Sequence, residues 1–418
     1  MSGAGRHAPT LFALATLNML GHAAFTASRL TGSLAAIRLD APTLVVGLLL
    51  SLYSVAPMLL SVSMGRWIDR IGTRVPMLLG AATMGLGLLL PALTLSVPVL
   101  CANSVLVGLG FIPFHMCVQK LTGELADGPA RVRNFGLLAV ALSVSGFLGP
   151  IVAGFIIDHA GEGASFAAAF AVASVMVAAA LALLKWRWRF DGRTVSVAPP
   201  PVRASAFDLL ATPVMRRIFV SVILLAAAWD VLMFLVPIQG SRIGLSASQI
   251  GMVLGAFSAA TFAVRLGMPV FARLLTEWQM VGGALTIAAL VYFAFPLFDS
   301  HYGLMTLSFV LGLGMGLGHP AVMAMVQTAT PAGRTGEAVG LRMMVANGSQ
   351  TFLPLLFGSA GSVLSAFLSG AMTFAPLFWG VALMLGLGGW SALRRRPPAA
   401  PGAGAGPTTR TAGPGPES

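Results

Sequence analysis

Twelve apolar runs, each long enough to carry a helix across a ~30 Å hydrocarbon core, occupy 10–31, 42–64, 75–95, 97–118, 136–157, 164–184, 217–238, 249–271, 280–298, 303–326, 338–360 and 370–391. Lipid offers no hydrogen bonds to a bare backbone, so only helices or closed barrels span it. Barrel strands alternate polar and apolar residues over about ten positions. These runs are apolar at nearly every position, so the expected fold class is an all-α membrane protein with twelve transmembrane helices. Composition agrees. Of 418 residues, 57% are hydrophobic and 9% charged, whereas soluble domains carry about 25% charged residues. The first run has no convincing small-residue cleavage site and many runs follow it, so it reads as a spanning helix and not a removable signal.

The net charge of +12 would suggest nucleic acid in a soluble protein. Here the positions of the cations give another explanation. With the N-terminus cytoplasmic, the inner loops hold Arg66, Arg70, Arg74, Lys120, Arg131, Arg133, Lys185, Arg187, Arg189 and the Arg394-Arg395-Arg396 cluster, among others, while the outer loops hold Arg38 and Arg242. Basic residues favour the cytoplasmic side, so both termini are expected inside, in a cell (inner or plasma) membrane, with no nucleic-acid partner. Arg outnumbers Lys by 23 to 2, which suits a bacterial inner membrane and a GC-rich genome.

The longest polar interval divides the chain into an N-terminal six-helix bundle (1–190), a cytoplasmic central loop (191–213), a C-terminal six-helix bundle (214–396) and a disordered cytoplasmic tail (397–418). Shifting the sequence by 204 residues superposes Gly108-Leu109-Gly110 on Gly312-Leu313-Gly314, His115 on His319, Ser145 on Ser349, Pro150 on Pro354 and Gly154 on Gly358. Repeated halves with a site between them are the architecture of secondary transporters.

Between runs 2 and 3 lies Gly65-Arg66-Trp67-Ile68-Asp69-Arg70-Ile71-Gly72-Thr73-Arg74. Gly65 is expected to let helix 2 approach a neighbour closely. Asp69 is placed to accept from a helix N-terminus or to pair with an Arg of another helix, and Gly72 supplies a tight turn. Such a cluster can lock one conformation and break in another. In run 5, Gly136, Ser145, Gly149, Pro150 and Gly154 form a small-residue seam, in which Pro150 removes a backbone hydrogen bond and bends the helix. The first stretch resembles the loop signature of the major facilitator superfamily. The second is similar to the helix-5 element of its 12-helix drug–proton antiporters, with Ser145 and Ala153 in place of two glycines. The resemblance implies two pseudo-symmetric six-helix bundles (the major facilitator fold) that rock about a central cavity lined by helices 1, 4, 7 and 10. One departure is plain: the Arg those antiporters carry in helix 4 is Ser104 here.

Ionisable groups inside a span cost about 2.5–3.5 kcal/mol and mark function by default. Asp230 lies 13 residues beyond Arg217, roughly 20 Å into the seventh helix, and is the only acid deep in any run. It fits a proton-carrying or cation-pairing group, or a structural ion pair with Arg29. Arg29 is a candidate anchor for an anionic substrate or a snorkelling cap. His22 and Asn18 share a face of the first helix. His115 and His319 are repeat equivalents near Pro113 and Pro320, which suggest breaks in those helices. No metal-ligand spacing, phosphate loop or nucleophile–base pair occurs, so neither a metal, a cofactor nor catalytic residues are expected. The resulting expectation is a secondary active transporter acting as a monomer, exporting small organic, drug-like molecules with proton coupling. The alternative is a carrier, inward or outward, of a small and possibly anionic metabolite recognised by Arg29.

Overall fold

The computed structural model describes residues 4–125, 128–161, 164–186, 206–331, 335–367 and 371–394. The expected tail at 397–418 and most of the expected central loop lie outside these residues. Each apolar run becomes a helix. The first six are α1 (Ala4–Arg38), α2 (Thr43–Ile71), α3 (Arg74–Leu93), α4 (Val97–Glu124), α5 (Gly128–His159) and α6 (Ser165–Trp186). After a 3-10 turn at Ala206–Ala211 come α7 (Pro213–Arg242), α8 (Ala247–Leu274), α9 (Glu277–Ala294), α10 (His301–Ala329), α11 (Thr335–Phe367) and α12 (Ala375–Leu393). All twelve are long and apolar enough to cross a membrane. Most outrun the apolar stretches that announced them, because a helix continues through the interface, where charge costs little.

Local chemistry sets the ends. Pro213 opens α7, where a missing N–H is harmless, and Thr212 Oγ1 accepts from Met215 N at 3.3 Å. Ser246 with Gln249 and Thr276 with Gln279 form reciprocal capping boxes before α8 and α9. Gly72 closes α2 at φ 81°, a conformation that favours glycine. The prolines do not break their helices. α4 runs through Pro113 and α10 through Pro320, which corrects the expected breaks: each proline removes one bond of a ladder that resumes a turn later.

The repeat is written in the packing. Gly108 presses on the Tyr53 carbonyl and Gly312 on the Phe257 carbonyl, and both residues of the second contact lie 204 beyond those of the first. Gly110 meets Gly80 O and Gly314 meets Ala284 O at the same offset. With no water to expel between helices in lipid, contacts of this kind between small residues supply the attraction. Within the first half α4 packs on α2 and α3, and α1 on α5 and α6. Within the second, α10 packs on α8 and α9, and α12 on α9. The halves meet chiefly along α2 with α11 and α5 with α8.

Candidate functional site

A cavity of about 530 Å³ lies between the halves. Residues of α1, α2, α4, α5, α7, α8 and α11 line it, and none of the described lining residues comes from α10. This corrects the four-helix lining expected from the resemblance: α2 and α11 form the seam between the halves, so their inner faces become cavity wall.

The wall from the first half is aromatic. Phe25 and Phe111 stack at 4.5 Å, Phe111 and His115 stack at 5.1 Å, and His22 lies 6.3 Å from Phe25, nearly parallel to it. Tyr53 meets Phe25 edge-on at 5.6 Å. Trp229 and Met233 of α7 belong to the lining on the other side. Hydrogen bonds fix the polar members. Ser145 Oγ donates to Leu142 O, so it accepts from His22 Nδ1 at 2.7 Å. Asn18 Oδ1 accepts from His115 Nδ1 at 2.9 Å, and Gln119 Nε2 donates to His115 Nε2 at 2.7 Å. That pattern leaves His115 one proton, on Nδ1. Behind the wall, Asn103 Nδ2 donates to Tyr53 OH at 2.8 Å, and Tyr53 OH and Ser28 Oγ are 2.6 Å apart. Across the seam Ser54 Oγ donates to Gln350 Oε1 at 3.2 Å.

Arg29 lines the cavity and is only 8% exposed. Its guanidinium carbon stands 5.9 Å from the Phe25 centroid, and its Nε and Nη2 have no hydrogen-bond partner. Asp230 is fully buried, and neither of its carboxyl oxygens has a partner. Each side chain lies in the other's field, yet they form no ion pair. Lys120 and Asp69, by contrast, form an ion pair at 2.6 Å. The structural-pair alternative for Asp230 is therefore not realised in this conformation. Asn18 is fully buried behind the wall, and His319 is half-buried outside the lining.

The loop signature departs from its expected contacts. Asp69 is 70% exposed and pairs with Lys120 of α4. A Cβ on Gly65 would meet only Met116 Cε, at 3.4 Å, so no close helix approach is made there. Arg70 and Arg74 are exposed. In α5, Gly149 packs on Ala23 O and Thr26 of α1, while Pro150 O faces Gly251 and Gly154 faces Ala247 and Ser248 of α8. Gly136 has nothing within 4 Å of a notional Cβ, so it takes no part in the seam. Ser104 bonds back to Leu100 O within its own helix.

One feature of the seam was invisible in the sequence. Asp158, at the end of α5, accepts from Ala247 N at 3.0 Å and Ser248 N at 2.8 Å, capping α8 across the halves. At the repeat position Ser362 Oγ accepts from Leu44 N at 3.0 Å, capping α2 from α11. Both caps sit at the end of the bundle that carries the α1–α2 and α7–α8 connections. Phe25, Phe111, Tyr53, Asn103 and Trp229 also belong to the cavity or its backing without having been expected there from the sequence. Tyr53 is one of three tyrosines, and a phenol in a span needs a partner, which was the available signal.

A family model described as Major Facilitator Superfamily matches residues 11–354 and 218–413. Multidrug resistance protein 1 of Bacillus subtilis (strain 168) is 22% identical over 319 residues, covering 75% of this chain and 79% of that protein. A POT family transporter solved with 5-aminolevulinic acid superposes with a TM-score of 0.76 at 12% identity, covering 92% of this chain and 95% of that one. A mutant of the nucleoside transporter NupG gives 0.72 at 13% identity, over 92% and 100%. At these identities the solved structures speak for the fold.

Proposed function

The chain belongs to the major facilitator superfamily, and from that premise we propose that it is a proton-coupled exporter of small organic molecules working by alternating access. It is a multi-pass membrane protein and a transporter.

The observation that carries it is the isolation of Asp230. A carboxyl held deep in α7 without a hydrogen-bond partner, in the field of Arg29, is expensive unless it is used. As an anion it attracts Arg29; protonated, it releases it. A proton taken from outside and passed inside thereby alternates the charge state of the pair beside the cavity. This route needs no Arg in helix 4, consistent with Ser104 there. The name of the Bacillus relative favours outward transport. With both termini cytoplasmic, as the cation asymmetry favours, the two caps lie at the outer end, and the conformation is one latched toward the outside. The cavity lies within one chain, so a monomer suffices.

The test is flux in proteoliposomes with an imposed pH gradient, over a panel of small organic molecules. Asp230→Asn is expected to reduce gradient-driven flux to the level of empty liposomes while leaving membrane insertion and monodispersity intact. Unchanged flux would remove Asp230 from the mechanism.

A further inference from the structure

We propose that the cavity selects planar aromatic anions, a substrate class opposite in charge to the lipophilic cations that a drug-exporter reading brings to mind. The inference names the substrate of the site above and so rests on reading that cavity as the transport site.

Three observations carry it. First, Arg29 alone among the described lining residues bears a formal charge. No described Asp, Glu or Lys lines the cavity, and Asp230 lies outside the lining. A bound cation would find a positive neighbour and no acid in the wall. Second, Arg29 carries an uncompensated guanidinium at the cavity. It is buried, it lines the cavity, it forms no ion pair, and its enclosed Nε and Nη2 have no partner. Buried donors without acceptors are costly, and an anion that meets the guanidinium from the cavity offsets that cost through a charge-assisted hydrogen bond. Third, the aromatic wall begins where Arg29 ends. Phe25 is the ring beneath the guanidinium at 5.9 Å and is also a member of the Phe25–Phe111–His115 stack. A flat ring laid on that stack, with Trp229 and Met233 lining the cavity from α7, carries a substituent on its Phe25 side to Arg29. Offset stacking rewards a planar ring over a puckered one. The volume of about 530 Å³ is within the range of small-molecule sites. The polar residues Asn347, Gln350 and Ser54 are left for secondary substituents.

The experiment is calorimetric titration of the full chain in lipid nanodiscs with three probes: 2-naphthoate, 2-naphthylmethylammonium and cyclohexanecarboxylate. Naphthoate is expected to bind at least about tenfold more tightly than either of the others. Arg29→Gln is expected to weaken naphthoate by roughly 10- to 100-fold, the worth of a charge-assisted hydrogen bond, and to leave the ammonium probe bound no less tightly than before. The ranking of the three probes on the native chain needs no variant, so a misfolded Arg29→Gln does not blunt the test. An ammonium probe that binds as well as naphthoate, a cyclohexane ring that binds as well as naphthalene, or no binding by any probe overturns the proposal. Naphthoate preference without pH-driven flux upholds this inference and sinks the exporter reading. Flux driven by pH without that preference does the reverse.

Discussion

A methyl group on Gly108 would collide with the Tyr53 backbone, reaching its carbonyl carbon at 2.8 Å and its Cα at 3.0 Å. Neither atom is the tip of a flexible side chain, so α2 or α4 must move. Tyr53 would move with them, away from Asn103 and Ser28, and a wall of the cavity would shift. Gly136, also helical and in the same half, has nothing within 4 Å of a notional Cβ. The two residues thus form a matched pair. Gly108→Ala is expected to cost about 1–3 kcal/mol, the usual cost of overpacking, seen as a lower melting temperature of the solubilised protein. Gly136→Ala is expected to be neutral or to stabilise by up to about 1 kcal/mol through helix propensity. Equal melting shifts would show that packing at Gly108 is looser than the geometry says. At the same scale, Gly72 sits at φ 81° because the turn demands it, whereas Gly65 sits beside Met116 with room to spare.

Between elements, the two seams are related by the repeat but not equal in chemistry. On α5–α8 the cap is a carboxylate shared by two backbone N–H groups of α8; on α11–α2 the helix N-terminus is met by the neutral Ser362 hydroxyl, which also lies 2.9 Å from Thr43 Oγ1, itself a donor to Gly358 O. An anion at a helix N-terminus interacts with the dipole as well as with the amides, so the α5–α8 seam is the stronger latch. Asp158→Ala leaves these first-turn donors unpaired and is expected to cost about 0.5–2 kcal/mol of the latched state, shifting the population by several-fold or more. Spin labels on α5 and α8 at that end should then report a second, longer distance by double electron–electron resonance. Ser362→Ala should produce a smaller change at the α2–α11 seam. A larger response there than at Asp158 would contradict the ranking.

For the whole molecule, the halves bind one another directly through α2 with α11 and α5 with α8. These contacts do not require the chain to be continuous between residues 186 and 206. Residues 1–204 and 205–418, expressed together as separate chains, are therefore expected to co-purify and to regain pH-driven flux. Either half alone should not transport, since the cavity takes its walls from both. Failure to co-purify would mean that the intervening segment contributes more than a tether.

The apolar runs by themselves determined the number of helices and their membrane setting, since lipid leaves a backbone of that composition no other way to satisfy its hydrogen bonds. The period of 204 residues disclosed the two related halves, and the loop at Gly65–Arg74 pointed to the family. Asp230 and Arg29 stood out because charge in a span is rare. What only the tertiary structure decided is which groups meet. Asp69 takes Lys120, Arg29 and Asp230 lie near one another without pairing, and Phe25, Phe111 and His115 align into one wall. Asp158, a residue past the end of an apolar run, closes a seam between helices 89 residues apart in sequence. Spacing along one helix reports which residues share its face. It cannot report the rotation of that helix against a distant one, and that rotation fixes every contact in the cavity.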